Sequence, residues 1–208
     1  NSKSNVVPTS GMDPISKAWH TVEDVVKVKD DFHLDIVGVG YTIYVGSKHE
    51  NEMLREAAKI AYDAHQHGLL AVFWMYPRGE FVAEEKNPHL IAGAAGVGHT
   101  LGADFVKVNY PSSENAAGDF VEAIEAAGRT GVLCSGGSKK DEKAFLEELH
   151  SQIHESGARG TATGRNIYQR PVDEAVRMAD AISSIVYYNH SVADALAILD
   201  GSKKLEIK

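Results

Sequence analysis

The sequence DFVKVNY, residues 104–110, places Lys107 between two valines in the middle of a short β-branched run. Such runs are typical of strands that are buried on both faces of a parallel sheet. Other runs of this kind lie before and after it, at intervals that leave room for a helix between each pair. The five strand-like runs are residues 35–44 (DIVGVGYTIY), 69–76 (LLAVFWMY), 104–110 (DFVKVNY), 131–135 (GVLCS) and 160–164 (GTATG).

Helix-like stretches with recognisable ends separate these runs. Residues 50–66 carry alanine, leucine, isoleucine and methionine at helical spacing and stop before Gly68. The next helix opens at Asn87-Pro88, an N-cap residue followed by proline at the first helical position. Helices are also predicted over residues 21–28, 115–127, 141–155, 172–187 and 192–199.

This alternation of strands and helices indicates a parallel sheet covered by helices, either an open doubly wound sheet or a (β/α)8 TIM barrel. The doubly wound form needs G-x-G-x-x-G at a strand-to-helix turn, and the nearest match, Gly38-Val-Gly40, continues into bulky residues. The prediction is therefore an α/β fold of the TIM-barrel type, although five βα units are visible where a closed barrel needs eight. We predict one domain over residues 1–208, with residues 1–20 irregular.

Composition and charge exclude several classes of function. The chain has 208 residues, 43% of them hydrophobic and 24% charged, and its net charge of −8 argues against a nucleic-acid groove. No apolar run approaches the roughly 20 residues that span a bilayer. Cys134 is the single cysteine, which suits a reducing compartment. We expect a soluble, cytoplasmic protein with no nucleic-acid partner and no membrane partner.

Lys107 is a candidate nucleophile because of the strand in which it lies. Burial disfavours the charged ammonium, so a lysine there has a lowered pKa unless a carboxylate pairs with it. The free amine can attack a carbonyl carbon and form an iminium, the Schiff base. The alternative is a structural lysine that reaches solvent at a strand end or pairs with Asp104.

The preceding strand supplies a second candidate, Tyr76. Trp74 and Tyr76 share one face of this strand because side chains alternate with period two. In a barrel both would point inward near the C-terminal mouth, where active sites lie. A tyrosine there can pass a proton between a carbinolamine and a leaving hydroxyl. The alternative is that both aromatic side chains belong to the core.

Two glycine-rich turns predict an anion site. One predicted strand ends in Ser135-Gly136-Gly137, and the next ends in Gly164-Arg165. Glycine lets backbone N–H groups approach an anion closely, and an arginine adds a two-pronged donor. Either turn alone is most simply a plain turn, but the last two strands of a barrel commonly end at its phosphate site.

We predict neither a metal nor another cofactor. His150 and His154 lie four residues apart on a predicted helix, as metal ligands can. The glutamates around them indicate a solvated face, and the sequence has no His-Glu-x-x-His pattern.

Five segments in collinear order, within residues 20–188, resemble the archaeal-type class I fructose-1,6-bisphosphate aldolases. These aldolases belong to the group that also contains the DhnA, DeoC and LsrF-like aldolases. The segments are GYTIYVGS (40–47), WMYPRGE (74–80), GADFVKVNY (102–110), LCSGGSK (133–139) and TGRNIYQR (163–170).

The resemblance implies a metal-independent lyase that reversibly cleaves fructose 1,6-bisphosphate to dihydroxyacetone phosphate and glyceraldehyde 3-phosphate, in glycolysis and gluconeogenesis. Lys107 would be the Schiff-base lysine and Tyr76 the main acid and base, with Trp74 lining the pocket. Arg78 would reach the distal phosphate of this sugar phosphate. The resemblance also implies a homo-oligomer, commonly a decamer. The phosphate beside the reacting carbon would be held by Ser135, Gly136, Gly137, Gly164 and Arg165.

One motif of this family is missing from the sequence. Such aldolases carry Asp-His-Gly on the first strand, and residues 1–208 contain no Asp-His-Gly. Together with the count of five units, this predicts that the first three βα units are absent from the chain. We expect the full-length protein to cleave and form fructose 1,6-bisphosphate, and this 208-residue chain alone to be inactive.

Two other functions remain open at this point. The related synthase of archaeal aromatic amino-acid biosynthesis joins sugar-derived fragments with the same lysine and tyrosine, although the segment GYTIY (40–44) favours the aldolase. The other is a barrel that binds a phosphorylated metabolite without catalysis.

Overall fold

The structure is a computed structural model that describes residues 12–137 and 140–206. Within the stretch predicted to be irregular, residues 12–20 contain no helix or strand, and residues 1–11 lie outside the described residues. Ser138 and Lys139, which belong to the LCSGGSK segment, also lie outside them.

Strands and helices alternate along the described chain as the sequence predicts. Every predicted strand and helix is present, with ends that differ by at most three residues. The strands are β1 (Gly38–Val45), β2 (Leu70–Pro77), β3 (Phe105–Val108), β4 (Gly131–Ser135) and β5 (Gly160–Ala162). The helices are α1 (Val22–Asp31), α2 (Glu50–Gln66), α3 (Pro88–Thr100), α4 (Ala116–Ala126), α5 (Glu142–His154), α6 (Arg165–Tyr168), α7 (Val172–Tyr188) and α8 (Val192–Leu199).

The α6 helix is the one described element that the sequence pattern did not predict. It is a single turn of four residues after β5. A hydrophobic period needs more than one turn to become visible, so a helix this short leaves no signal in the pattern.

The sheet is parallel throughout, and its described strands lie in chain order from β1 to β5. A doubly wound sheet reverses its strand order at a switch point, so this order excludes the Rossmann alternative. Gly38 and Gly40, the near match to the dinucleotide motif, lie inside β1 and not at a strand-to-helix turn.

The main hydrophobic core lies on one face of this sheet. Phe73 and Met75 of β2 and Val106 of β3 are fully buried in it, together with Ile91 of α3 and Phe120 of α4. Truncating a core phenylalanine of this kind costs about 3–5 kcal/mol of unfolding free energy. Because side chains alternate along a strand, the strand residues that flank Phe73, Met75 and Val106 project from the opposite face of the sheet.

Local signals explain where the helices begin and end. The side chain of Asn87 accepts a hydrogen bond from the backbone N–H of Leu90, and Pro88 is the first residue of α3. Such a cap contributes about 1 kcal/mol. Gly68 follows α2 with φ +67°, a conformation in which residues with a Cβ are strained. Within the described residues, no helix combines the length and the apolar character that a membrane span requires.

Candidate active site

Lys107 projects from the face of the sheet opposite the main core. It lies in β3 between Trp74 of β2 and Leu133 of β4, and its Nζ is 5.8 Å from the centroid of the Trp74 ring. Lys107 is half-buried, and desolvation by burial lowers the pKa of its ammonium. The lowered pKa increases the share of free amine, which is the form that attacks carbonyl carbons.

Asp104 is not the partner of Lys107. Its Oδ2 accepts a hydrogen bond of 2.8 Å from the backbone N–H of Ala71 and lies 3.0 Å from Nε2 of His65. In residues 12–137 and 140–206 no carboxylate forms an ion pair with Lys107. Of the two structural alternatives, the one that pairs Lys107 with Asp104 is therefore wrong.

Tyr76 lies beyond Trp74 on the same face of β2 and is in register with Tyr44 of β1. Desolvation by burial and, to a smaller extent, the charge of Tyr44 raise the pKa of Tyr76 to about 12, against the opposing effect of Arg78. Desolvation also raises the pKa of Tyr44. Tyr76 therefore keeps its proton at neutral pH and is available as a proton donor.

A cleft of about 330 Å³ opens where β2, β3, β4 and β5 end. Trp74 does not line it: the ring lies over Gly40, where a Cβ atom would stand 2.3 Å from the Cζ3 atom of Trp74. The other eight residues that the sequence predicts for the site all line the cleft. They are Tyr76, Arg78, Lys107, Ser135, Gly136, Gly137, Gly164 and Arg165.

Among the described residues, the cleft is also lined by Ala162 and by two polar side chains that the sequence patterns did not indicate, Asn109 and Tyr168. Asn109 stands two residues after Lys107 on the same face of the chain, and its Oδ1 accepts a 3.1 Å hydrogen bond from the hydroxyl of Ser135. Side chains two residues apart lie on the same face of a strand, and this pattern, which links Trp74 to Tyr76, also links Lys107 to Asn109 and could have identified it. Tyr168 comes from α6, the helix without a detectable pattern.

The two glycine turns pack against each other and are held by side chains of α6. A Cβ atom on Gly136 would stand 2.8 Å from Cα of Thr163, so a residue with a side chain does not fit. Asn166 is fully buried and donates from Nδ2 to the carbonyl of Gly136 at 2.9 Å. Nε of Arg165 donates to the carbonyl of Gly137 at 3.0 Å. Donors thus hold both glycine carbonyls of the first turn.

Arg78 follows β2 on the other side of Lys107. Its backbone N–H donates to the carbonyl of Val45 at 2.9 Å. Its guanidinium meets the carboxylate of Glu85 with two prongs, with Nε 2.6 Å from Oε1 and Nη2 on Oε2. The exposed fractions of the two side chains are 47% and 41%, so water reaches this pair.

Asp13 joins the turns that follow β1 and β2. Its two carboxylate oxygens accept hydrogen bonds from the backbone N–H of Lys48, at 2.6 Å, and from that of Glu80, at 2.7 Å. The same carboxylate accepts from the hydroxyl of Ser47 at 2.8 Å. The segment before α1 therefore fixes the loop that carries Arg78.

The remaining candidates from the sequence lie away from this cleft. Cys134 is buried in β4, and desolvation raises the pKa of its thiol, which makes it inert. The rings of His150 and His154 are 4.5 Å apart. The described residues contain no group of three or more histidine, cysteine, aspartate or glutamate side chains that could hold a metal ion.

A sequence profile of the DeoC/LacD family aldolases matches residues 1–170. The chain belongs to this family. A curated relative from Methanocaldococcus jannaschii, named fructose-bisphosphate aldolase/6-deoxy-5-ketofructose 1-phosphate synthase, is 54% identical over 204 residues, which are 98% of this chain and 65% of that protein. A class 1 fructose-bisphosphate aldolase from Thermoproteus tenax is 38% identical over 187 residues, 89% of this chain and 66% of that protein. The chain thus spans about 65% of the length of these aldolases.

Solved aldolase structures have the same fold. A fructose-bisphosphate aldolase from Slackia heliotrinireducens superposes with a TM-score of 0.93 at 48% identity, over 98% of this chain and 65% of that one. An archaeal fructose-1,6-bisphosphate aldolase, solved with its catalytic lysine bound to the carbinolamine intermediate of the substrate, gives 0.74 at 38% identity, over 84% and 65%. The fold prediction is confirmed: the parallel sheet is a five-stranded part of a (β/α)8 barrel. The resemblance to class I aldolases is confirmed with it.

Proposed function

We propose that this protein is a class I aldolase that reversibly cleaves fructose 1,6-bisphosphate to dihydroxyacetone phosphate and glyceraldehyde 3-phosphate through an iminium on Lys107. The observation that carries the proposal is the single cleft lined by a half-buried lysine with a lowered pKa, a tyrosine with a raised pKa and two glycine turns. The names of the relatives support it.

The amine of Lys107 attacks the C2 carbonyl of the ketose and forms a carbinolamine. Loss of the C2 oxygen as water gives the iminium, and this step needs a proton, which Tyr76 donates. The phenolate left behind is a strong base, because the pKa of Tyr76 is about 12. It takes the proton of the C4 hydroxyl while the C3–C4 bond breaks and its electrons move towards the iminium nitrogen.

The C1 phosphate of the ketose binds at the two glycine turns. C1 is bonded to C2, so this phosphate has to lie beside Lys107, and the turns after β4 and β5 line the same cleft as that lysine. Gly136, Gly137 and Gly164 allow close approach of the backbone, and the outer end of the Arg165 guanidinium adds donors. The hydroxyl of Ser135 donates to the phosphate when it turns away from Asn109.

The distal C6 phosphate binds Arg78. The strands lie in the order β2-β3-β4-β5, so Arg78 at the end of β2 and Arg165 after β5 stand on opposite sides of Lys107. A ketose bisphosphate carries its two phosphates at opposite ends of the carbon chain, with the reacting carbons between them. Trp74 is the register partner of Lys107 on β2, and its ring supports the lysine side chain from the side.

A second candidate activity is the synthesis of a ketose that has only one phosphate. The M. jannaschii relative also bears the name 6-deoxy-5-ketofructose 1-phosphate synthase, and this sugar carries no oxygen, and so no phosphate, on C6. The same lysine and the same C1-phosphate turns would serve both reactions. The fructose-bisphosphate aldolase names of the other relatives favour cleavage as the main activity over a synthase or a non-catalytic barrel.

We further propose that the protein is cytoplasmic and works as a homo-oligomer, a decamer by its resemblance to the archaeal enzymes, without a metal. Light scattering coupled to size-exclusion chromatography measures the oligomer. Activity that survives treatment with a chelator is the expected result for a reaction that uses an iminium instead of a metal ion.

Borohydride trapping tests the proposed function. Incubating the protein, produced from its complete gene, with dihydroxyacetone phosphate and then with borohydride reduces the iminium to a stable secondary amine. We expect peptide mass spectrometry to find this adduct on Lys107. Binding of the sugar phosphate without an adduct would favour a barrel that binds phosphosugars without catalysis.

A further inference from the structure

Among the described residues, the charges along the cleft are neutralised at one end only. The cationic side chains that line it in this part of the chain are Lys107, Arg165 and Arg78. Lys107 stands against the Trp74 ring, and Arg165 donates to a backbone carbonyl. In the part of the chain that the structure describes, neither of these two forms an ion pair, whereas Arg78 does.

The partner of Arg78 occupies the donors that a phosphate would use. A guanidinium binds phosphate and carboxylate with the same two-pronged geometry, and Glu85 holds both the Nε and the Nη2 prong. Glu85 belongs to the loop between β2 and α3 and does not itself line the cleft. The carboxylate thus approaches Arg78 from outside the cleft and competes with any anion inside it.

We propose that Glu85 is a specificity-determining residue. It forms an ion pair with Arg78 when the substrate has no distal phosphate, and it releases Arg78 when the substrate has one. The inference rests on the proposed function and deepens it, because it assigns the choice between ketose bisphosphates and ketose monophosphates to one ion pair. Glu85 sets this preference by its charge.

The energetics of the pair suit such an exchange. An ion pair that is nearly half-exposed contributes about 0–1 kcal/mol, so the incoming ligand displaces Glu85 at little cost. A phosphate has about two negative charges and three acceptor oxygens at neutral pH, more than the carboxylate that it replaces. With a monophosphate, the pair stays closed and Arg78 is not left as an isolated cation at the empty end of the site.

Selectivity between two ketoses is the measurement that tests this inference. The kcat/KM values for cleavage of fructose 1,6-bisphosphate and fructose 1-phosphate are compared in the protein made from its complete gene and in its Glu85→Gln variant. Glutamine keeps the size and a hydrogen-bonding oxygen of glutamate but removes the charge. We expect the ratio of bisphosphate to monophosphate kcat/KM to rise about threefold to fivefold, the factor that an interaction of this strength gives.

Two further variants complete the design. Glu84→Gln removes a charge from the adjacent residue of the same loop, whose side chain is exposed, and should leave the ratio unchanged. In an Arg78→Gln background, Glu85→Gln should no longer change the ratio, because the competition needs both partners. Thermal unfolding of each variant reports whether the loop substitutions disturb the fold.

The outcomes separate this inference from the proposed function. A ratio that falls or stays constant in Glu85→Gln, while both ketoses are still cleaved and Lys107 is still trapped, overturns the role of Glu85 alone. An equal rise in Glu84→Gln also overturns it, because the effect would then belong to the charge of the loop. No trapping and no cleavage of either ketose overturns the proposed function and this inference with it.

Discussion

The two sides of the cleft are built in different ways. On the β4–β5 side, Gly136 packs closely against Thr163, and the backbone carbonyls of Gly136 and Gly137 accept hydrogen bonds from a buried asparagine and from Arg165. On the β1–β2 side, half-buried tyrosines and an exposed ion pair line up along the strand ends. The comparison indicates that the backbone side suits the phosphate common to both proposed reactions, whereas the adjustable side chains handle the proton and the variable end of the substrate.

Lys107 lies between the two sides, and its removal should give the largest effect. In Lys107→Met, borohydride trapping should disappear and kcat/KM should fall by at least about 10³-fold, because no other group on the strand can form the iminium. The fold should be unaffected, since the side chain is only half-buried and has no ion-pair partner among the described residues.

The control is Lys59→Met, which removes an exposed lysine of α2 that is paired with Asp63. It should keep both trapping and activity. An adduct that persists in Lys107→Met would assign the Schiff base to a different lysine.

Tyr76→Phe is the next largest test and addresses the adjustable side. Losing the phenol removes the proton donor and the base, so kcat should fall by about 10²-fold to 10³-fold. KM for the bisphosphate should change little, because the proposed phosphate sites are at Arg78 and at the glycine turns. A change mainly in KM would show that Tyr76 binds the substrate and does not transfer the proton.

Asn166→Ala tests whether the backbone side depends on its buried support. Removing the amide leaves the carbonyl of Gly136 and the backbone N–H of Lys140 without this partner, which costs about 1–3 kcal/mol of unfolding free energy. The turn that we propose as the site of the common phosphate loosens, so KM should rise about tenfold for the bisphosphate and the monophosphate alike.

A second buried amide serves as the control for this variant. Gln152 of α5 is 3% exposed and does not line the cleft. Gln152→Ala should lower the melting temperature without raising either KM. A rise in KM for the bisphosphate alone in Asn166→Ala would mean that this side of the cleft holds the distal phosphate.

The sequence was sufficient for the fold and for most of the cleft because both follow from local patterns. Alternation of apolar strands with capped helices is readable residue by residue, and in a parallel sheet the C-terminal ends of all strands meet at one edge. Lys107, Tyr76 and the glycine turns were therefore predictable as neighbours. Asn109 obeys the same period of two, and it was missed because a short polar side chain after a strand resembles an ordinary turn residue.

Other features depend on contacts that no local pattern encodes. The Arg78–Glu85 pair joins residues seven apart in a loop, where spacing does not determine which side chains meet. Asp13 contacts Glu80 across 67 residues of sequence, and Asn166 reaches Gly136 across 30. These are the interactions that fix the cleft, and they appear only when the chain is folded.

Tyr44→Phe should give the smallest effect, and it separates the two tyrosines of the adjustable side. At pH 7 both phenols are protonated, so kcat should change by less than about fivefold, the factor for an interaction of about 1 kcal/mol.

The stability of Tyr44→Phe should differ from that of the unmodified protein at alkaline pH. The pKa of Tyr76 is about 12 in the folded protein against an ordinary value of 10.0, so the folded state keeps a proton that the unfolded state loses between these values.

The contribution of this proton to the unfolding free energy should therefore be fully present below pH 10 and should be lost as the pH rises from 10 towards 12. Removing Tyr44 lowers the pKa of Tyr76, because the charge of Tyr44 raises it, and also removes the raised pKa of Tyr44 itself. Both changes make the alkaline loss of unfolding free energy shallower, which urea unfolding at pH 9, 10 and 11 measures. Tyr62→Phe, at a residue that is 65% exposed, is the matched control and should follow the unmodified protein. A loss as steep in Tyr44→Phe as in the control would mean that neither the raised pKa of Tyr44 nor its effect on the pKa of Tyr76 contributes to the alkaline loss of stability.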